Sequence, residues 1–237
     1  MHLLDLTLPT AAENLALDEA LLLAAEGGGP EVLRLWENPS YAVVLGSGGS
    51  VGVDVNEPAC GADGVPVLRR ASGGGTVVVG PGCLCFAVVL RFDRAAGLRE
   101  IGPSARYVLR YVADALRPVV PDVAVEAISD LATGGRKFSG SAQQRKRRHF
   151  LHHGTLLCGF DLDRVSRYLN PPERQPDYRR NRPHEEFLTN LPADAATVRR
   201  LLVAGWQPEG EYGPPPMDRV RELVAEKYAK EEWNRRR

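Results

Sequence analysis

Gly135-Arg136-Lys137-Phe138-Ser139-Gly140-Ser141-Ala142-Gln143-Gln144-Arg145-Lys146-Arg147-Arg148-His149-Phe150-Leu151-His152-His153-Gly154-Thr155-Leu156-Leu157 reads as a strand, a basic turn and a second strand. Lys137 lies on the first arm among small residues that let a ligand come close. On the second arm His153-Gly154-Thr155 precede an apolar run. Such a hairpin can hold one cation beside a bound anion under a short wall of backbone. The turn, Arg145-Lys146-Arg147-Arg148, is either simply solvated or a contact for an acidic partner or for phosphates. Asp130, just upstream, reads either as a Mg2+ ligand or nucleotide contact, or as the end of a strand.

A second cationic loop lies nearer the N-terminus. Val65-Pro66-Val67-Leu68 leads into Arg69-Arg70-Ala71-Ser72-Gly73-Gly74-Gly75-Thr76. Three successive glycines remove every side chain that would keep a phosphate or carboxylate from the backbone amides. Two arginines beside them favour anion binding over a plain hairpin turn. Gly46-Ser47-Gly48-Gly49-Ser50 is weaker, serving equally as a turn or a ligand loop. We read the hairpin and the Arg-Arg-glycine loop as one site for an anionic ligand. Tyr178, Arg179, Arg182 and His184, in a proline-rich stretch, either flank that site or belong to a packed surface loop.

Working outward, the 237 residues suit one large domain, or one domain with a small appendage. The formal net charge is zero, so nothing global draws the chain to nucleic acid or a membrane. No apolar run reaches the roughly 18 residues that span a bilayer. The N-terminus has no basic n-region, so a cytoplasmic protein is expected. The four cysteines, Cys60, Cys83, Cys85 and Cys158, form no CxxC pair, and reduced, packed thiols are expected. Cys83 and Cys85 are expected to face opposite ways on an apolar strand, which argues against a shared metal.

Local patterns supply the other elements. Thr10-Ala11-Ala12-Glu13 matches a capping box, and Leu17, Ala20, Leu21 and Ala24 give the helix behind it one apolar stripe. Val32–Trp36 and Tyr41–Leu45 read as strands around Asn38-Pro39. Thr76–Val79 and Leu84–Arg91 read as a strand pair around Gly80-Pro81-Gly82. Helices are expected over Tyr107–Leu116 (buried face Val108, Tyr111, Val112, Ala115), Asp163–Leu169, Thr197–Leu202 and Met217–Trp233. Arg235-Arg236-Arg237 reads as a frayed tail.

Taken together, these stretches resemble the lipoate–protein ligase A family, within the biotin/lipoate ligase catalytic-domain superfamily. Arg69–Thr76 is similar to its Arg-Arg-x-Ser-Gly-Gly-Gly signature. Gly135–Ala142 and His153–Leu157 are similar to its second and third signatures, and Glu13–Ala20 to its N-terminal helix. The resemblance runs over about residues 3–165, in the family's order. It implies an α/β (α+β) fold, a mixed sheet flanked by helices. It implies one catalytic domain over 1–237, with 170–237 forming a proline-rich loop and C-terminal helices. It implies ATP and Mg2+ as cofactors and lipoate or octanoate as substrate. The acid would attack the α-phosphate, and the lysine of a lipoyl domain or glycine-cleavage H-like protein would then take the acyl group. Lys137 would be the catalytic cation. Arg69, Arg70, Ser72, Gly73, Gly74, Gly75, Thr76, Gly140, Ser141, His153, Gly154 and Thr155 would bind acid and nucleotide.

Three departures stand out. Val77-Val78-Val79-Gly80-Pro81-Gly82 replaces the family's Tyr-His-Asp after the glycine loop. The family's C-terminal accessory domain has no counterpart among the residues after the match, so the chain either dispenses with it or borrows it as a separate subunit. Ser129-Asp130 stands where Asn-Asp is usual. An octanoyltransferase of the same superfamily would need a thioester-forming cysteine. None lies in 120–136 or just before His153, and Cys158 comes after it. A biotin ligase would show Gly-Arg-Gly-Arg, which is absent. A non-catalytic carrier-binding subunit would explain the lost His-Asp pair but not the retained Lys137.

Overall fold

The computed structural model describes residues 1–237. In chain order the elements are β1 (His2–Asp5), α1 (Ala11–Glu26), β2 (Val32–Glu37), β3 (Ala42–Leu45), α2 (Val51–Asp54), α3 (Glu57–Ala62), β4 (Val67–Arg69), β5 (Val77–Val79), β6 (Cys83–Arg91) and α4 (Ile101–Leu116). Then come β7 (Ala124–Glu126), β8 (Asp130–Thr133), β9 (Arg136–Arg145), β10 (His149–Leu157), α5 (Asp163–Tyr168), α6 (His184–Phe187), α7 (Ala195–Trp206), β11 (Gly210–Glu211), α8 (Met217–Leu223) and α9 (Glu231–Asn234). The eight-stranded sheet has the order β11-β1-β2-β6-β10-β9-β8-β7, and a three-stranded sheet has the order β4-β3-β5. Both are mixed: β1 is parallel to β2 and β11, and β3 to β4, while the other pairs run antiparallel. This is the expected mixed sheet with flanking helices.

β6 runs through the centre and is apolar from Cys83 to Leu90, because both of its faces are covered there. Cys83, Cys85, Ala87 and Val89 join a core shared with α1, β3 and α8. Leu84, Phe86, Val88 and Leu90 join a second core under α4 and α7. Cys83 and Cys85 therefore share a face, contrary to expectation, because strand side chains alternate with period two. All four thiols are buried. No helix is long and apolar enough to cross a membrane.

The capping box forms as read: the Glu13 N–H donates to Thr10 Oγ1, and the Thr10 N–H to Glu13 Oε2 at 2.9 Å. α1 is not a one-striped helix, however. It is buried on nearly every side, and Asn14, Asp18 and Glu19 are buried with it. α4 starts at Ile101, ahead of the expected Tyr107, since Pro103 is tolerated in a first turn. Tyr111 stays 37% exposed and stacks on Trp206 with ring centroids 4.6 Å apart. The two expected strand pairs divide between sheets: β2 and β6 pair in the large one, β3 and β5 in the small one. Met217–Trp233 is not one helix, because a π turn at 224–228 separates α8 from α9. The arginine tail is not frayed: Arg236 donates to Ser47 O at 2.6 Å and lies over the Trp233 ring.

Candidate active site

The hairpin formed by β9 and β10 closes through the basic turn as read. Arg148 in that turn is tied to the C-terminal end of α1 through Glu26. Between β8 and β9 the register slips: Ala132 pairs with Lys137, but Leu131 pairs with Ser139. This irregularity re-aims the strand where Lys137 sits. The lysine stem lies across Gly140, where a Cβ would come 2.8 Å from Nζ and 3.0 Å from Cε. The amine meets Asp130 Oδ1 at 2.8 Å. Asp130 also accepts from the Tyr178 hydroxyl at 2.7 Å and from Ser129 Oγ at 3.3 Å. Burial and then the Asp130 charge push the Tyr178 phenol well above its ordinary value, so it stays a donor.

The second arm supplies the facing wall. Gly154 must be bare, since a Cβ there would lie 2.8 Å from the Phe86 ring and 2.9 Å from Gly140 O. His153 Nδ1 faces Asp18 Oδ2 at 3.1 Å, and Nε2 faces Ser72 Oγ at 2.6 Å. A carboxylate only accepts, so Nδ1 carries a proton. Arg70 Nε donates to Ser72 Oγ at 3.0 Å, so that hydroxyl is held between the guanidinium and His153 Nε2. Behind Asp18 sits the fully buried Arg34, Nη1 to Oδ1 at 2.5 Å. One chain of hydrogen bonds thus joins β2, α1, β10 and the glycine loop.

Arg70 shapes that loop from inside. Its guanidinium donates to Val44 O at 3.1 Å, Gly73 O at 2.6 Å and Gly75 O at 2.8 Å. Burial lowers its pKa to about 10. Gly74 takes φ +86°, which favours glycine.

These walls enclose a cleft of about 140 Å³. Arg70, Gly74, Gly75, Thr76, Lys137, Gly140, Ser141, His153, Gly154 and Thr155 line it, as does Asp130. The two sequence motifs therefore do meet. Three residues expected in the site stand elsewhere. Ser72 and Gly73 sit behind the lining as supports, and Ser72 is 1% exposed. Arg69 is 0% exposed and spends its guanidinium on backbone carbonyls of residues 46, 49, 233 and 234. At the end of β4 neighbouring side chains point to opposite faces, so only Arg70 reaches the cleft.

The sequence reading missed the apolar end of the cleft: Leu15, Trp36, Val44, Val77, Val79 and Phe86. It also missed Asp18. The three valines stand where the family's Tyr-His-Asp was absent, and Val77 and Val79 take up lining duty. A second cavity of about 110 Å³ shares Thr76, Val77, Lys137, Gly140 and Thr155 with the first. Arg179 and His184 line it as well. Ser139 Oγ and His184 Nε2, both among its lining residues, are buried without a partner. Tyr178, Arg179 and His184 thus flank the site, while Arg182 holds the loop, donating to Tyr178 O at 2.9 Å.

The lipoyl protein ligase A/B catalytic domain matches residues 10–199. The "Putative lipoate-protein ligase A" of Aeropyrum pernix is 36% identical over 160 residues, covering 67% of this chain and 58% of that protein. The chain spans about half the length of the curated relatives it matches. A bi-partite lipoate protein ligase from Thermoplasma acidophilum, studied with its E2 lipoyl domain, superposes with a TM-score of 0.85 at 26% identity, covering 99% of this chain and 95% of that one. A lipoate-protein ligase A bound with ATP gives 0.84 at 25% identity, covering 99% and 98%. The chain belongs to the lipoyl protein ligase A/B catalytic domain family.

Proposed function

We propose that this chain activates lipoate, or octanoate, as an acyl-adenylate and passes the acyl group to a lysine of a carrier domain. One observation carries the reading: the Lys137 amine stands where a cleft with apolar walls, the Gly74-Gly75 backbone and a second cavity adjoin. The acyl chain would lie along Trp36, Val44, Val77, Val79 and Phe86, with its carboxylate toward Lys137. The nucleotide would take the second cavity, where Ser139 Oγ and His184 Nε2 await partners. A carboxylate oxygen then attacks the α-phosphorus, the bond to the β-phosphate oxygen breaks, and pyrophosphate leaves with the electron pair. In the second step the acceptor amine attacks the acyl carbon, AMP departs, and the amine proton goes to solvent. A fixed ammonium stabilises the charge that develops in both steps and needs no reorganisation to do so.

The thiols give no support to a thioester route. Burial pushes the Cys158 thiol up to about 12, and Cys85, which lines the cleft, is raised by its contact with Cys83 and by burial. Mg2+ would be carried mainly by the nucleotide phosphates, with Asp130 the carboxylate beside the cleft. Both Asp130 oxygens are occupied, and no three His, Cys, Asp or Glu side chains gather. The Thermoplasma relative, described as bi-partite and studied with a lipoyl domain, supports a lipoyl-domain acceptor and a second polypeptide. Residues 1–237 are read as the catalytic domain, with the segment from 170 onward contributing the flanking loop and helices.

Intact-mass measurement of a lipoyl domain incubated with this protein, lipoate, ATP and Mg2+ tests the reading. A lipoyl adduct on the acceptor lysine is expected. No adduct, with or without an added accessory polypeptide, would overturn it.

A further inference from the structure

Arg69 and Arg70 are neighbours with separate tasks. Arg70 folds the glycine loop from within, whereas Arg69 is gripped from the far end of the chain. The Arg69 N–H donates to Asn234 Oδ1 at 2.9 Å, and Trp233 Nε1–H donates back to Arg69 O at 2.8 Å. The Arg69 guanidinium donates to Trp233 O at 3.1 Å and Asn234 O at 3.0 Å. Its remaining reach goes forward, to Gly46 O at 3.1 Å and Gly49 O at 2.6 Å.

That 46–50 loop backs the triglycine. A Cβ on Gly46 would come 2.0 Å from Gly74 O, and the Ser47 N–H donates to Ser72 O at 2.8 Å. The grip has its own anchor: Asn234 Nδ2 donates to Tyr228 O at 3.0 Å, and the Tyr228 hydroxyl donates to Glu19 on α1 at 2.7 Å. α1 also carries Asp18, which lines the cleft. The C-terminal segment therefore bridges two walls of one site without touching its interior.

We propose that Trp233 and Asn234 are positioning residues: through Arg69 they set the glycine loop that would hold the acid. The inference rests on the reading of the cleft as the acid site. Neither residue lines that cleft, so neither is catalytic. Their action is transmitted by one buried guanidinium and by contact between two bare glycines. Such contact passes displacement on, because bare backbone against bare backbone leaves no flexible side chain to absorb it.

The test pairs Asn234→Ala with Trp233→Phe, which keeps an aromatic ring but loses the indole donor. Amide exchange is followed at Ser47 and Arg70, whose N–H groups bond across the loops to Ser72 O and Leu45 O. Each variant is expected to exchange at least about tenfold faster there, the scale of one lost hydrogen bond. KM for lipoate in ATP–pyrophosphate exchange is expected to rise about tenfold, with kcat within about twofold. Asn234→Asp keeps the acceptor for the Arg69 N–H and should restore most of both. Unchanged protection of Ser47 and Arg70 in either folded variant would overturn the proposal, as would a fall in kcat with KM unmoved. The exchange readout needs no turnover. An inactive wild type would therefore count against the acid-site reading while the grip on the loop is still decided.

Discussion

Gly46→Ala probes the glycine wall from behind, without substituting any lining residue. An added Cβ would stand 2.0 Å from Gly74 O and 3.0 Å from its carbonyl carbon. Ordinary contact requires more than 3 Å, so the Gly74 carbonyl must retreat by about 1 Å or the 46–50 loop must lift. Overpacking of this kind costs about 1–3 kcal/mol. At about 2–4 °C per kcal/mol for a chain of this size, the midpoint of unfolding falls by several degrees. The larger consequence is at the site. Gly74 lines the cleft, and a 1 Å misplacement of a positioning element costs on the order of 100-fold in rate. Lipoate-dependent ATP–pyrophosphate exchange is the assay, with Gly48→Ala as the control, because a Cβ at Gly48 meets nothing within 4 Å. The expected result is a folded Gly46→Ala protein with kcat/KM for lipoate reduced about 100-fold, and a Gly48→Ala protein near wild type. Equal activity in all three would refute the claim that the glycine wall fixes the acid.

Lys137→Ala should fold normally, since the side chain is 25% exposed and Asp130 retains Tyr178 and Ser129 as donors. It should lose about 3–4 kcal/mol of transition-state stabilisation, roughly 1,000-fold in adenylation rate. Cys158→Ser should leave lipoylation within about twofold, because that thiol is buried in the core and is not asked to react. His152 is buried, and burial and then the charge of His153 lower its pKa to about 3 from 6.5. Its folded-state pKa is depressed, so the stability it contributes is present above 6.5 and is lost as pH falls from there toward 3. Between pH 7 and 5 this amounts to about 2 kcal/mol, and urea unfolding of His152→Leu at both values should show a loss smaller by that amount. An equal loss in wild type and variant would contradict the assignment.

Legibility in the sequence followed the range of the interactions. The hairpin was readable because its small residues, basic turn and apolar arm are contiguous. Lys137, Gly74–Thr76 and His153–Thr155 carried their chemistry in local spacing, and they meet in one cleft. Asp18 did not announce itself, because Leu17, Ala20, Leu21 and Ala24 suggest an ordinary apolar stripe, whereas α1 is buried on nearly every side. Its buried polar residues make sense only beside Arg34 and His153. The division of labour between Arg69 and Arg70 was hidden for a related reason. Which neighbour turns inward depends on the register of β4, and the partners of Arg69 lie at positions 233 and 234. Gly80-Pro81-Gly82 looked like a hairpin turn, yet its two strands enter different sheets. Local turn chemistry specifies a change of direction, not the sheet that each arm joins.

The most direct measurement is ATP–pyrophosphate exchange by the wild type and by Lys137→Ala, with and without lipoate and with no carrier domain present. The account predicts exchange that requires lipoate and falls about 1,000-fold in the variant. Exchange that ignores the lysine would contradict it. So would acyl transfer from an octanoyl carrier protein that proceeds without ATP.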